Sequence, residues 1–200
     1  MFKQLLIVSA MNLALSATPI VAAEIVTKPP DEGKIIFDAR WRMESVNDDA
    51  FAKNALANTL RLRLGYRTPV RSGWSAVIEL EHTSHLFGED FNSTANYQTA
   101  YPVVVDPDNT ELNQAYMLFA PSEATKFMIC RQRMIYVNQR FFGNVGWRQN
   151  EQTFDALNIE QSFDNGFNFR YSYLNRAHRI YGDNHPIENL AQWKLNTHLF

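Results

Sequence analysis

The most regular feature of the chain is an alternation of apolar and polar side chains with a period of two. Residues 35–44 carry it clearly, because the odd positions are apolar and the even positions, Ile36 excepted, are charged. Successive side chains of a β-strand point to opposite faces of its sheet, so this pattern predicts a strand with one apolar and one polar face. The pattern recurs, with varying regularity, over seven further segments: 56–67, 74–83, 111–120, 125–135, 152–162, 167–173 and 193–199. We therefore expect an all-β fold with about eight strands.

The connections between these segments alternate between short and long ones. Three short links are rich in turn-forming residues: 68–73, 121–124 and 164–166. Four longer links lie between them: 46–54, 85–110, 136–151 and 175–191. Bacterial outer-membrane barrels have short periplasmic turns, longer extracellular loops and aromatic residues near the strand ends. This arrangement predicts an antiparallel transmembrane β-barrel whose apolar rows face lipid and whose polar rows face the lumen.

The first 23 residues have the composition of a secretory signal peptide. Lys3 precedes an apolar stretch from Leu5 to about Leu15, and the small residues at 21–23 suit cleavage before Glu24. We expect residues 24–200 to form an exported β-barrel domain in the bacterial outer membrane. Its expected partners are the outer-membrane lipid, the barrel-assembly machinery and an anionic or carbohydrate solute.

Composition excludes several other classes of function. A mean hydropathy of -0.32 is too polar for a bundle of membrane helices, and a net charge of -2 gives no reason to expect nucleic-acid binding. The lone Cys130 cannot form an internal disulfide or a cysteine-built zinc site. Asp106, Asp108 and Glu111 offer oxygen ligands, but their spacing lacks the full pattern of a calcium loop, so calcium binding stays open. We expect no cofactor and no enzyme, because no G-x-S-x-G turn frames the polar residues around Ser84.

Charged side chains on the predicted lumen face are the candidate functional residues. Arginine is always charged and binds carboxylates in a bidentate manner, so an arginine excess favours anionic solutes, unless the charges only neutralise one another. If the turn between the second and third strands (68–73) is centred near Arg71, we expect Arg63 opposite Glu79 and Arg61 opposite Glu81. The candidate pore-lining or solute-binding residues are Arg40, Arg42, Arg61, Arg63, Glu79, Glu81, Arg131, Arg133, Arg140, Arg148 and Arg170.

The link 136–151 is the candidate for a segment that folds into the pore. It combines charged and amide side chains with aromatic ones around Gly143 and Gly146. A packed extracellular loop is the alternative interpretation of this composition. Only an inward fold would narrow the channel.

Residues 131–155 resemble the alginate-export porin-like family of outer-membrane barrels. The resemblance rests on four blocks, 131–133, 138–141, 143–150 and 152–156, and residues 59–66 and 106–116 look similar to earlier blocks of the family. It implies a porin-like channel for passive passage of anionic or sugar-type solutes. Cys130 stands where the family favours glycine, which implies a local packing change.

The length of the chain departs from the family. Family barrels look roughly twice as long, with about 18 strands, so we expect the N-terminal half of a larger barrel rather than a complete small one. The last strand supports this expectation, because a terminal strand that ends in Phe200 should have apolar residues at every second position before it. The alternate positions 192–198 are polar instead, and Trp193, Leu195 and Leu199 are expected to face lipid. A secreted β-barrel binding protein for an apolar ligand is the alternative function, since such a barrel also alternates but turns its apolar face inward.

Overall fold

The computed structural model describes residues 32–136, 139 and 142–200. The expected signal peptide at 1–23 and the candidate residue Arg140 lie outside the described residues. The described elements are β1 Lys34–Val46, β2 Ala55–Arg67, β3 Trp74–His85, β4 Asn109–Phe119, β5 Thr125–Gln132, β6 Thr153–Ser162, β7 Asn168–His178, α1 Glu188–Ala191 and β8 Gln192–Leu199.

The eight strands form one antiparallel sheet in the order β1 to β8, so each strand pairs with its neighbour in the chain. The prediction of an all-β antiparallel fold with eight strands is confirmed. Within the described ranges β1 and β8 do not pair with each other, so the sheet is open and has two free edges. No helix in the described part of the chain is long and apolar enough to cross a membrane.

The register of β2 and β3 differs from the expected one. Arg63 lies opposite Glu81, and Arg61 lies opposite Thr83. The pairing of β2 with β3 is centred on Ser72 instead of Arg71, and Ser72 and Gly73 take the positive φ values of 50° and 82° that type I′ hairpin turns require. Moving a turn centre by one residue moves every partner by two, so the expected Arg63–Glu79 and Arg61–Glu81 pairs are wrong. The residues nevertheless stay on the predicted face.

The two faces of the sheet have an unusual distribution of burial. On β2 and β3 the apolar row is exposed: Leu64 is 60% exposed and Ile78 is 54% exposed. The polar row is buried, with Arg61 5% and Glu81 0% exposed. We call these the apolar face and the polar face. A water-soluble sheet would bury its apolar row instead.

The polar face of β1 to β4 is covered by the last part of the β5–β6 link. Residues 142–151, which we call the inner segment, contact β1 and β2 through Gln149 and β3 through Asn150. Both of these side chains are fully buried. The described part of the link 136–151 therefore packs against the polar face of the sheet, and whether this narrows a pore stays a prediction.

An apolar cluster covers the same side of the sheet at β6 and β7. Met134 from the β5–β6 link packs there with residues of these strands, Phe154, Ala156, Leu174 and Ala177. Leu195 and Leu199 of β8 pack against this cluster, so the prediction that they face lipid is wrong. The period-two pattern identified the two rows of β8 correctly but could not show that the β5–β6 link supplies apolar partners on the inner side. The opposite row is exposed and polar: Lys194, Asn196 and His198.

Candidate functional site

A polar cavity lies between the inner segment and the polar face of β1 to β3. Its volume is about 450 Å³, within the usual range for small-molecule sites. Four arginines and three acidic residues line it together with amides and one tryptophan. The lining residues are Asp38, Arg40, Arg61, Arg63, Glu79, Arg133, Gln139, Asn144, Gly146, Trp147 and Glu151.

Arg40 on β1 connects the wall of the cavity to the inner segment. Its Nη1 donates to the carbonyl oxygen of Gly146 at 2.9 Å, and its Nε donates to Oε1 of Gln149 at 2.9 Å. Its Nη2 donates to the carbonyl oxygen of Arg148. All three acceptors are uncharged, and no described carboxylate forms an ion pair with Arg40. Its positive charge is therefore left to the cavity.

Arg61 lies beside Arg40, because β1 and β2 place the two residues directly opposite each other. Its Nη2 donates to a carboxylate oxygen of Asp38, the side chain of which is 41% exposed. Its Nε is buried and has no hydrogen-bond partner among the described residues. A buried guanidinium donor without a partner is unfavourable, so the positive charge of Arg61 is only partly compensated, by the half-exposed Asp38.

Glu151 is the acidic centre of the site and is almost fully buried. It forms an ion pair with Arg63 at 3.2 Å and another with Arg133, and it accepts hydrogen bonds from the side-chain amides of Asn113 and Asn144 at 2.7 Å each. Burial raises the pKa of Glu151, but the two arginines and the amides outweigh burial and hold the pKa well below its ordinary value. Glu151 is therefore a fixed negative charge.

The charge of Arg133 is largely neutralised by acidic neighbours. Besides Glu151, its Nη2 approaches Oε1 of Glu79 at 3.5 Å. Burial lowers the pKa of Arg133, but Glu151 outweighs burial and raises the pKa above its ordinary value. Glu79 also accepts hydrogen bonds from Asn113 and Gln114 at 2.7 Å and 3.1 Å. The β3–β4 side of the cavity is thus balanced in charge, whereas the Arg40–Arg61 side is not.

A second charged group attaches the inner segment to β1 and to the link that precedes β4. Arg148 lies 3.2 Å from Glu44 and 3.8 Å from Asp106, which also lies 3.5 Å from Arg42. The backbone N–H of Gln149 donates to Asp106 at 2.8 Å. Burial raises the pKa of Asp106 more than this hydrogen bond and the arginines lower it, so the pKa lies above its ordinary value.

Trp147 presents an exposed aromatic ring at the mouth of the cavity. The guanidinium of Arg148 lies 4.0 Å from the ring centroid, and that of Arg42 lies 5.3 Å from it. Both distances fall within the range of cation–π attraction. The ring is 60% exposed, so the side of the ring not covered by an arginine is open to a solute.

The structure brings together most of the residues expected from the sequence. Five of them line the cavity: Arg40, Arg61, Arg63, Glu79 and Arg133. Three more contact these residues or the inner segment: Arg42, Glu81 and Arg148. Two lie elsewhere, since Arg131 binds Asp155 and Arg170 pairs with Glu160. Arg133 does not share the partners of Arg131, because Arg133 lies beyond the end of β5 and binds Glu151.

Sequence reasoning missed three important members of the site. Asp38 has the parity of the polar row of β1, so the alternation could have identified it. Asn144 and Glu151 lie in the β5–β6 link, where no alternation of residues shows which way a side chain points. Their roles depend on the path of the inner segment, which no local pattern encodes.

Two of the three residues considered for calcium, Asp106 and Glu111, have other partners, and Asp108 is exposed. Asp106 contacts arginines, and Glu111 accepts a hydrogen bond from Asn109 at 2.8 Å. Across the described ranges, no group of three or more His, Cys, Asp or Glu side chains is arranged to hold a metal ion.

No family model, curated protein or solved structure matches the chain. The resemblance to the alginate-export family therefore stays a prediction.

Proposed function

We propose that this chain forms part of the wall of a porin-like outer-membrane channel for the passive passage of anionic or sugar-type solutes. One observation carries the proposal: the sheet exposes its leucine and isoleucine rows and buries its arginine and glutamate rows. In water this distribution is unfavourable, since burial of apolar side chains is the main favourable contribution to folding. In a bilayer it is the expected one, because the outer face of a membrane barrel contacts hydrocarbon.

The open edges of the sheet define what else the channel needs. Unpaired backbone N–H and C=O groups are unfavourable in hydrocarbon, so a membrane barrel must be closed. The proposal therefore includes further strands that pair with β1 and β8 and complete a larger barrel. The fold as described supplies one contiguous part of the wall, with the cavity on its inner side.

The charge distribution in the cavity supports a preference for anions. Arg40 has no described carboxylate partner, and the Nε of Arg61 is buried without an acceptor. Guanidinium groups held in this way attract carboxylates and other anions, and they repel cations. The exposed ring of Trp147 adds an apolar surface of the kind against which a sugar ring can pack.

Reversal potentials in planar bilayers, measured on the closed barrel that includes the further strands, test the proposal. Under a potassium chloride gradient we expect wild-type channels to prefer chloride and Arg40→Gln channels to lose most of that preference. Arg71→Gln is the matched control, because Arg71 is an exposed arginine in the short β2–β3 turn and should leave selectivity unchanged. Preference for potassium in the wild-type channel, or equal effects of the two substitutions, would contradict an anion-selective cavity.

A further inference from the structure

A second group of charged side chains lies apart from the cavity, around His178 at the end of β7. Nδ1 of His178 lies 2.9 Å from Oδ1 of Asp183, and its Nε2 lies 3.0 Å from Oδ2 of Asp155. The imidazole is 3% exposed. Both of its nitrogens therefore face carboxylate oxygens in a largely buried position.

Arg131 binds the same two carboxylates from the other side. Its Nε donates to Oδ1 of Asp155 at 3.1 Å, and its Nη1 donates to Oδ2 of Asp183 at 3.3 Å. Two cations and two anions thus alternate in a ring, which we call the His178 cluster: Arg131, Asp155, His178 and Asp183. The cluster joins β5, β6 and β7 to the link 179–191.

The geometry determines the protonation state of His178. A carboxylate oxygen can only accept a hydrogen bond, so each ring nitrogen must carry a proton to make the bond that it faces. Both contacts exist only in the imidazolium form. Loss of one proton would turn a lone pair toward a carboxylate and would also leave two negative charges against the single positive charge of Arg131.

Asp183 is the member of the cluster that can move away. The other three belong to paired strands, whereas Asp183 belongs to the link 179–191. The next residues of that link cross to other parts of the polar side: Asn184 donates to Oδ1 of Asn109 at 3.3 Å, and His185 contacts the carbonyl oxygen of Thr94 at 3.1 Å. These two contacts involve uncharged partners and are weaker than the charged ones of Asp183.

We propose that His178 is a pH-dependent tether that holds the link 179–191 over the polar side of the sheet when it is protonated and releases that link when it is not. Other charged groups lie near the cluster without touching the imidazole. Glu111 on β4 lies close to Asp183, Arg176 on β7 stands opposite Asp155, and the neighbour of His178 on β8 is the uncharged Gln192. Among the described residues, the two ring nitrogens of His178 face only Asp155 and Asp183.

The ionisation of Asp183 agrees with a tether of this kind. Burial raises the pKa of Asp183, but hydrogen bonding and attraction from His178, together with Arg131, outweigh burial and hold the pKa below its ordinary value. Asp183 therefore stays charged, and the protonation of His178 is the variable that changes with pH. This inference goes beyond the proposed channel function, since the tether would act whether or not the chain conducts ions.

Hydrogen–deuterium exchange of the intact protein in detergent tests the tether. Protection factors for residues 179–191, corrected for the intrinsic pH dependence of exchange, are compared from about pH 5 to about pH 9, on either side of the ordinary histidine range. We expect protection in the wild-type protein to fall by about tenfold or more as the pH rises, which corresponds to the loss of one charge-assisted hydrogen bond.

Three variants make the result specific. His178→Gln and Asp183→Asn should both leave the link weakly protected at every pH. If His178→Gln does not fold, Asp183→Asn alone provides the test. His198→Gln is the matched control, because His198 is exposed and bonds Tyr171 at 2.8 Å, away from the cluster. A flat wild-type profile, or a pH-dependent loss that persists in either cluster variant, would overturn the proposal.

Discussion

At the scale of single residues, charge is arranged in two different ways inside the site. Glu151 is enclosed by two arginines and two amides, so its charge is fully compensated. Arg40 is held by neutral oxygens, so its charge is not. A compensated buried charge mainly organises structure, whereas an uncompensated one creates the field that a solute experiences. The two residues should therefore respond differently to neutralisation.

Replacing Glu151 by glutamine should destabilise the fold. The substitution leaves Arg63 and Arg133 buried without their shared carboxylate, and breaking a buried pair from one side typically lowers the free energy of unfolding by about 3–5 kcal/mol. Urea unfolding in detergent measures this. Glu123→Gln is the control, since Glu123 is exposed in the β4–β5 turn and should change stability by less than about 0.5 kcal/mol. Equal stability of the two variants would contradict the role assigned to Glu151.

The difference in the free energy of unfolding between wild type and Glu151→Gln should depend on pH, in a direction set by the pKa of Glu151. The pKa of Glu151 is lower in the folded protein than in the unfolded chain, so the stabilisation that it supplies is complete above the ordinary glutamate value and is lost as the pH falls below it. We expect the stability difference between wild type and Glu151→Gln to shrink as the pH is lowered below about 4.5. A difference that is constant with pH would mean that the carboxylate is not charged in the fold.

At the scale of elements, the inner segment encloses the cavity against the polar face of the sheet. Gln149 attaches it to the wall: its Nε2 donates to the backbone oxygen and to Oγ1 of Thr59 at 3.0 Å and 2.8 Å, and its Oε1 accepts from Arg40. These bonds lie on the polar face of β1 and β2, where water is excluded. The side chain of Gln149 is therefore one of the contacts that hold the inner segment against the wall of the proposed pore.

Substituting Gln149 by alanine should loosen the inner segment and widen the pore. It removes four side-chain hydrogen bonds, two with Arg40 and two with Thr59, of about 0.5–1.5 kcal/mol each, which raises the population of detached segments by about tenfold or more. Single-channel conductance should rise, and amide exchange over residues 142–151 should accelerate. Gln161→Ala serves as control, because the side chain of Gln161 bonds to Thr125 and Ser162, away from the inner segment. Unchanged conductance together with faster exchange would show that the segment does not narrow the pore.

The strands and the inner segment also differ in how far the sequence predicts them. Alternation in β1, β2 and β3 identified the rows and their common face, because a period of two is a local property of a strand. It misplaced the β2–β3 register, since Ser72 adopts a turn conformation that composition does not indicate. Glu151 and Asn144 were missed because their contacts join residues far apart in the chain. Leu195 was assigned to the wrong side because periodicity separates two faces without showing what each one contacts.

At the scale of the whole molecule, the sheet has a lipid-compatible surface over most of its width. The rows exposed on β1, β2, β3, β4 and β5 include large apolar side chains: Phe37, Leu64, Ile78, Met117 and Ile129. β8 departs from this, because its exposed row is polar and its outer backbone edge is unpaired among the described residues. The surface proposed to contact hydrocarbon is therefore that of the strands before β8.

In the proposed barrel the apolar face contacts lipid while the polar face contacts water, and site-directed spin labelling distinguishes these two surroundings. In a Cys130→Ser background, one label replaces Leu64 on the apolar face and another replaces Asp38, which lines the cavity. Oxygen concentrates in hydrocarbon, whereas a nickel chelate stays in water. In reconstituted bilayers we expect oxygen to relax the Leu64 label more strongly and the chelate to relax the Asp38 label more strongly. A Leu64 label that the chelate reaches as readily as the Asp38 label would show that the apolar face does not contact lipid.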